Sequence, residues 1–177
     1  MRLQSWQLDI DRPASPKYVM IGAPHTSNLD LTYGLILKYA GRIDLHWVGK
    51  DSAFRGPLGP LYRRLGGIPV NRRVSQNFVE QMVEQFNQRE RFILAIAPEG
   101  TRYKAPGWKS GFYYIALGAG VPIALGFIDY GRKRVGIGPT IHPSGDIQAD
   151  FMQIKAFYAG IVGRYPERQS ELKLEHK

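Results

Sequence analysis

Short runs of β-branched and apolar residues alternate along this chain with longer amphipathic stretches, and that alternation leaves few architectures open. Buried strands give apolar runs of four to eight residues, helices give apolar residues every three or four positions, and the two in turn imply a parallel sheet with crossover helices. The pattern predicts strands over 18–21, 45–48, 68–70, 92–97, 122–127 and 134–137, with helices over 28–39, 75–89, 111–117 and 150–163. In the last helix Phe151, Ile154, Phe157, Tyr158, Ile161 and Val162 would form one apolar stripe packed on the sheet. Gly and Pro gather in 56–67, read as an arginine-bearing loop. No repeat or linker divides the 177 residues. The expectation is one domain over 1–177: an α/β fold with a mostly parallel twisted sheet flanked by helices.

Several function classes fall away on composition. Cysteine is absent, so disulfides, thiolate metal sites and a cysteine acyl-enzyme are excluded. The first eleven residues carry Arg2, Asp9 and Asp11 and lack a signal peptide's apolar run, so the default expectation is a cytoplasmic location. The 17 residues from Phe112 to Ile128 carry no charge, but Gly118, Gly120 and Pro122 divide them into helix, turn and buried strand rather than a membrane span. Lys and Arg number 24 against 15 Asp and Glu, and the net charge of +9 favours an anionic partner: nucleic acid, an acidic membrane face or a phosphorylated ligand.

Two polar constellations follow predicted strands, where ligand crevices of such sheets lie. The first is Pro24-His25-Thr26-Ser27-Asn28-Leu29-Asp30. With Ser27 as N-cap, Asp30 falls at the third helical position and can turn back toward His25. A carboxylate on one imidazole nitrogen fixes the tautomer and frees the other as a general base, and the same Ser27-x-x-Asp30 spacing also satisfies a helix cap. The second is Ala97-Pro98-Glu99-Gly100-Thr101-Arg102, where Glu99 and Arg102 suit a hydroxyl and a phosphate and Gly100 allows backbone N–H groups to approach an anion. A plain loop with a surface ion pair would fit it too. Arg63, Arg64, Arg72 and Arg73 bracket Gly66-Gly67-Ile68-Pro69-Val70-Asn71, with Lys109 and Gly111 further on, and guanidinium groups match phosphate oxygens.

Together these blocks resemble the glycerophosphate and lysophosphatidic acid acyltransferase family, whose marks are H-x-x-x-x-D and a later E-G-T-R. Here they read His25 to Asp30 and Glu99-Gly100-Thr101-Arg102, with the Gly-to-Arg block at Gly66–Arg72 between them and Val121-Pro122-Ile123-Ala124-Leu125 as the fourth block; the resemblance spans roughly 18–130. It implies the glycerolipid acyltransferase fold and transfer of a fatty acyl group from acyl-CoA or acyl carrier protein to the hydroxyl of a lysophospholipid, with lysophosphatidic acid the expected acceptor. By the same resemblance His25 is the base, Asp30 orients it, and Arg72, Glu99, Gly100, Thr101, Arg102 and Lys109 hold the acceptor's glycerol phosphate. Neither metal nor cofactor is implied, nor any nucleic-acid partner. Ala97, Tyr103 and Pro69 depart from the usual pattern, and the hydrophobic N-terminal segment of many relatives is missing, so a soluble or peripheral protein at the inner membrane face is expected. Phe54-Arg55-Gly56-Pro57-Leu58 with Leu61 and Tyr62 offers a mixed apolar and basic loop for that contact.

Other readings have less behind them. Ser27 beside His25 suggests a serine hydrolase, but no G-x-S-x-G elbow occurs; G-x-x-x-x-G-K-[ST] and H-E-x-x-H are absent as well. A basic module for anionic membrane or nucleic acid would have no use for His25 and Asp30, and the same chemistry on another lysolipid stays open.

Overall fold

The structure is a computed structural model and describes residues 6–70 and 78–175. Within the described residues seven strands form one sheet: β1 (Gln7–Ile10), β2 (Lys17–Ala23), β3 (Leu45–Lys50), β4 (Gly67–Val70), β5 (Phe92–Ile96), β6 (Ile123–Asp129) and β7 (Arg134–Ile141), in the order β1-β7-β6-β2-β5-β3-β4. Strands β6, β2, β5, β3 and β4 are mutually parallel; β7 pairs antiparallel with β6, and β1 runs parallel to β7 at the edge. Among the described residues five α-helices accompany them: α1 (Leu29–Ala40), α2 (Gly59–Arg64), α3 (Phe78–Asn87), α4 (Gly111–Ala119) and α5 (Ile147–Tyr158).

Strand β2 is nearly continuously buried, as a central strand covered on both faces must be. Val19, Ile21 and Ala23 face a core with Met82 and Phe86 of α3, Ile115 and Ala116 of α4, and Phe151 and Ile154 of α5. Tyr18 and Met20 face the other way, onto Leu37 of α1 with Leu45 and Ile137. After β2 the chain moves out through β3 and β4, returns as β5 on one side of β2, then places β6 on the other. β2 is therefore the switch point of the sheet, and the crevice of such folds opens beyond the carboxyl ends there.

All six predicted strands and four predicted helices occur, with three differences. β1 was not anticipated: its short, partly exposed Gln-Leu-Asp-Ile carries little apolar signal, and it owes its pairing to β7. The segment 56–67 contains α2, one short helix with Pro60 at its start. The last helix begins earlier, where the Asp146 side chain caps it by accepting from the Gln148 and Ala149 N–H groups, and ends at Tyr158, so Ile161 and Val162 of the expected stripe lie in the loop beyond. The first residues of the predicted helix 75–89 lie outside the described residues. Residues 112–128 fold as helix, turn and strand, and among the described residues no helix is long and apolar enough to cross a membrane.

Candidate active site

The chain leaves β2 through a cis Ala23–Pro24 peptide and turns directly into α1. In that turn His25 Nδ1 lies 3.1 Å from Asp30 Oδ2, and the same oxygen accepts from the backbone N–H groups of Thr26 at 2.9 Å and Ser27 at 2.8 Å. The carboxylate reaches back toward His25 as expected, but α1 begins one residue later than predicted: Asn28, not Ser27, is the N-cap, Asp30 is the second helical residue, and the Ser27 hydroxyl accepts from the Leu29 N–H at 3.2 Å. Capping and orientation of the imidazole thus coexist in one group. Asp30 is 6% exposed, whereas about a quarter of the His25 side chain meets solvent. Burial pushes the Asp30 carboxyl up, but the bonds from His25, Ser27 and Tyr130 outweigh it and hold the acid below its ordinary range.

Glu99 follows β5, the neighbour of β2, and sits beneath this turn. Its Oε1 accepts the His25 backbone N–H at 2.9 Å, while Oε2 is buried without a hydrogen-bond partner. The residue is 2% exposed, and burial, opposed by that N–H and reinforced by Asp30, pushes its acid up to about 7. The expectation that Glu99 faces an acceptor therefore differs from what is found: its carboxyl group is covered by the loop it holds. Neither does it pair with Arg102, so the surface ion pair is not formed.

Gly100 has φ of +67°, the left-handed region, and its N–H closes the turn onto Ala97 O at 3.1 Å. The Lys109 stem lies against it: a Cβ at position 100 would stand 3.4–3.5 Å from Lys109 Cε, Cδ and Nζ. The Lys109 N–H is bonded to Pro98 O at 2.9 Å, so the lysine is fixed to this turn, with its side chain exposed. Thr101 Oγ1 accepts from the Tyr103 N–H at 3.3 Å, and Arg102 is exposed beside it. Arg72 and Arg73 lie outside the described residues; the strand that leads into them, β4, ends on the same edge of the sheet. Arg63 and Arg64 do not join the site. They close α2, which delivers the chain to the opposite end of β4, and Arg63 is held by Phe54 O at 3.2 Å.

One residue escaped the sequence reading. Tyr130, directly after β6 on the other side of β2, donates its hydroxyl to Asp30 Oδ1 at 2.9 Å and packs against Tyr33 and Trp6. Burial and this bond raise the phenol well above its ordinary range, so it stays protonated and donates a hydrogen bond to the carboxylate. A polar residue at a strand's carboxyl end was the signal that singled out His25 and Glu99, and it applies equally here. Thus three adjacent strands each contribute one group to the turn.

The pattern of the acyltransferase family matches residues 10–124, about two thirds of the chain. The chain belongs to that family. A search among curated proteins yields no match. Among solved structures, this acyltransferase is similar to the 1-acyl-sn-glycerophosphate (LPA) acyltransferase PlsC from Thermotoga maritima, with a TM-score of 0.57 and 19% identity over 86% of this chain and 68% of that one. At that identity the likeness establishes the shared α/β fold. No group of three or more metal-ligating side chains occurs among the described residues of this acyltransferase.

Proposed function

We propose that this acyltransferase, a single domain, moves a fatty acyl group from a thioester donor, acyl-CoA or acyl carrier protein, to the hydroxyl of a phosphate-bearing lysolipid, foremost lysophosphatidic acid. The observation that carries the reading is the 3.1 Å contact of His25 Nδ1 with a buried carboxylate, which leaves Nε2 as the ring's open nitrogen. With Nδ1–H donated to Asp30, Nε2 takes the proton of the acceptor hydroxyl as its oxygen attacks the thioester carbonyl. The tetrahedral intermediate expels the thiolate as the C–S bond breaks, and the imidazolium returns the proton to sulfur. Arg102 and Lys109, exposed beside the Gly100 turn, suit the acceptor's phosphate, with Arg72 as a third cation. Thr101 and Gly100 shape that turn. The lysolipid class is supported by the similar LPA acyltransferase structure and by the E-G-T-R block.

Access to a lipid acceptor favours peripheral contact with the anionic inner face of the membrane, through the +9 net charge and the exposed Leu58 and Leu61 of the α2 region. Phe54 and Tyr62 do not serve there: Phe54 is 2% exposed, and the two rings pack together beside Trp47.

The test is direct: purified protein, labelled acyl-CoA and acyl carrier protein, and a panel of lysolipids, with product identified by mass. A product formed by wild type and lost in His25→Ala supports the reading. Failure to acylate any acceptor, with anionic vesicles bound equally well by both proteins, would favour a binding module.

A further inference from the structure

Beyond the family's matched span the chain returns to the active-site turn. Residues 163–168 dock on it: the Tyr165 N–H donates to Thr26 Oγ1 at 3.2 Å, and Gly163 lies so close that a Cβ there would meet Thr26 Oγ1 at 2.9 Å. Gln169 pins the segment, accepting from the Gly163 N–H at 2.8 Å and donating to Ile161 O at 3.2 Å. On its outer surface two guanidinium groups and two tyrosine rings form a stack. Arg168 packs on both Tyr103 and Tyr165, 5.1 Å and 4.4 Å from the ring centroids, and Arg164 stands 5.5 Å from the Tyr165 ring.

We propose that this stack is a phosphate site for the acyl donor, holding the phosphopantetheine arm that coenzyme A and acyl carrier protein share. A guanidinium packed on aromatic rings is restricted in orientation, so less entropy is lost when it bonds a phosphate bidentately. Neither charge is neutralised by a close carboxylate: among the described residues Arg164 has no carboxylate partner, its side chain bonding instead to the hydroxyls of Tyr165 and Tyr130, and Arg168 has only Glu167 at 3.8 Å. Their place favours the donor. Under the function proposed above, Arg102 and Lys109 serve the acceptor from the Gly100 turn, whereas the stack reaches the His25 loop through Thr26, leaving it for the second anionic substrate.

Coenzyme A itself is the probe, because its binding needs no turnover. Titration calorimetry at low salt should show wild type binding coenzyme A and Arg164→Ala/Arg168→Ala binding it at least tenfold more weakly, with glycerol 3-phosphate binding unchanged. Arg168→Lys, which keeps charge but not the planar fork, should lose most of the same affinity. Wild type that fails to bind coenzyme A, a double variant that binds it normally, or a loss confined to glycerol 3-phosphate overturns the proposal. Full binding by Arg168→Lys overturns the role of the stack. These readouts stay separate from the acyl-transfer assay, so a protein that binds coenzyme A through the stack yet acylates nothing would sink the function and leave the site standing.

Discussion

At the scale of single residues the site rests on Asp30, which joins four donors: the His25 ring, two backbone N–H groups and Tyr130. Asp30→Asn should lower kcat by about 10²–10³-fold while leaving the acceptor's KM nearly unchanged, measured by steady-state acyl transfer. A matching collapse of acceptor affinity would make Asp30 a purely structural cap. Tyr130→Phe removes a donor from the carboxylate, which then binds the imidazolium more strongly, so kcat should fall about tenfold and the rising limb of its pH profile should move to higher pH. Glu99 gives a stability test. An acid raised from 4.5 to about 7 binds more protons folded than unfolded between those values, so its contribution is full below pH 4.5 and lost as pH rises through about 7. Glu99→Gln still accepts the His25 N–H but cannot ionise; in urea unfolding its advantage over wild type should grow by about 2 kcal/mol from pH 5 to pH 8. No such growth would mean that Glu99 ionises as readily folded as unfolded. His25, Asp30 and the E-G-T-R block were legible in sequence because each is a local polar cluster behind an apolar strand. The burial of Glu99 was not, since nothing within the motif reveals that the His25 loop, 74 residues earlier, will lie on top of it.

Among the elements, the strands were legible wherever both faces are covered, as in β2, and illegible where pairing alone makes the strand, as in β1. Short α2 failed for a related reason: six residues starting with Gly59-Pro60 hold too few turns to show a helical period. Ile161 is buried as the apolar stripe implies, but by a loop rather than by a further turn of α5. The close approach of that loop to α1's entry gives a prediction of its own. Gly163→Val would drive a branched side chain into Thr26, which is fully buried, and into Pro24. Overpacking of this kind costs about 1–3 kcal/mol, and displacement of the His25 turn should lower kcat by at least tenfold, compared by unfolding and turnover on the same preparation. Normal turnover would show that the turn tolerates the shift.

For the molecule as a whole, net charge was read from composition, whereas its distribution required the fold, which sends Arg63 and Arg64 away from the crevice and brings Lys109 to it. Sedimentation with vesicles should show binding to anionic lipid that weakens as salt is raised, with little binding to neutral lipid; equal binding to both at low salt would remove the electrostatic dock. The sheet order carries one further consequence. His25 and Asp30 are five residues apart, but the groups that seat them arrive from β5 and β6, on either flank of β2. A chain emerging from the ribosome therefore holds its histidine and aspartate long before it can use them, and becomes competent only when the strand ending at Asp129 slots home beside β2. Turnover should then vanish in the same cooperative transition as the far-ultraviolet signal, because a half-zipped sheet has nothing to hold His25, the proposed base, in place.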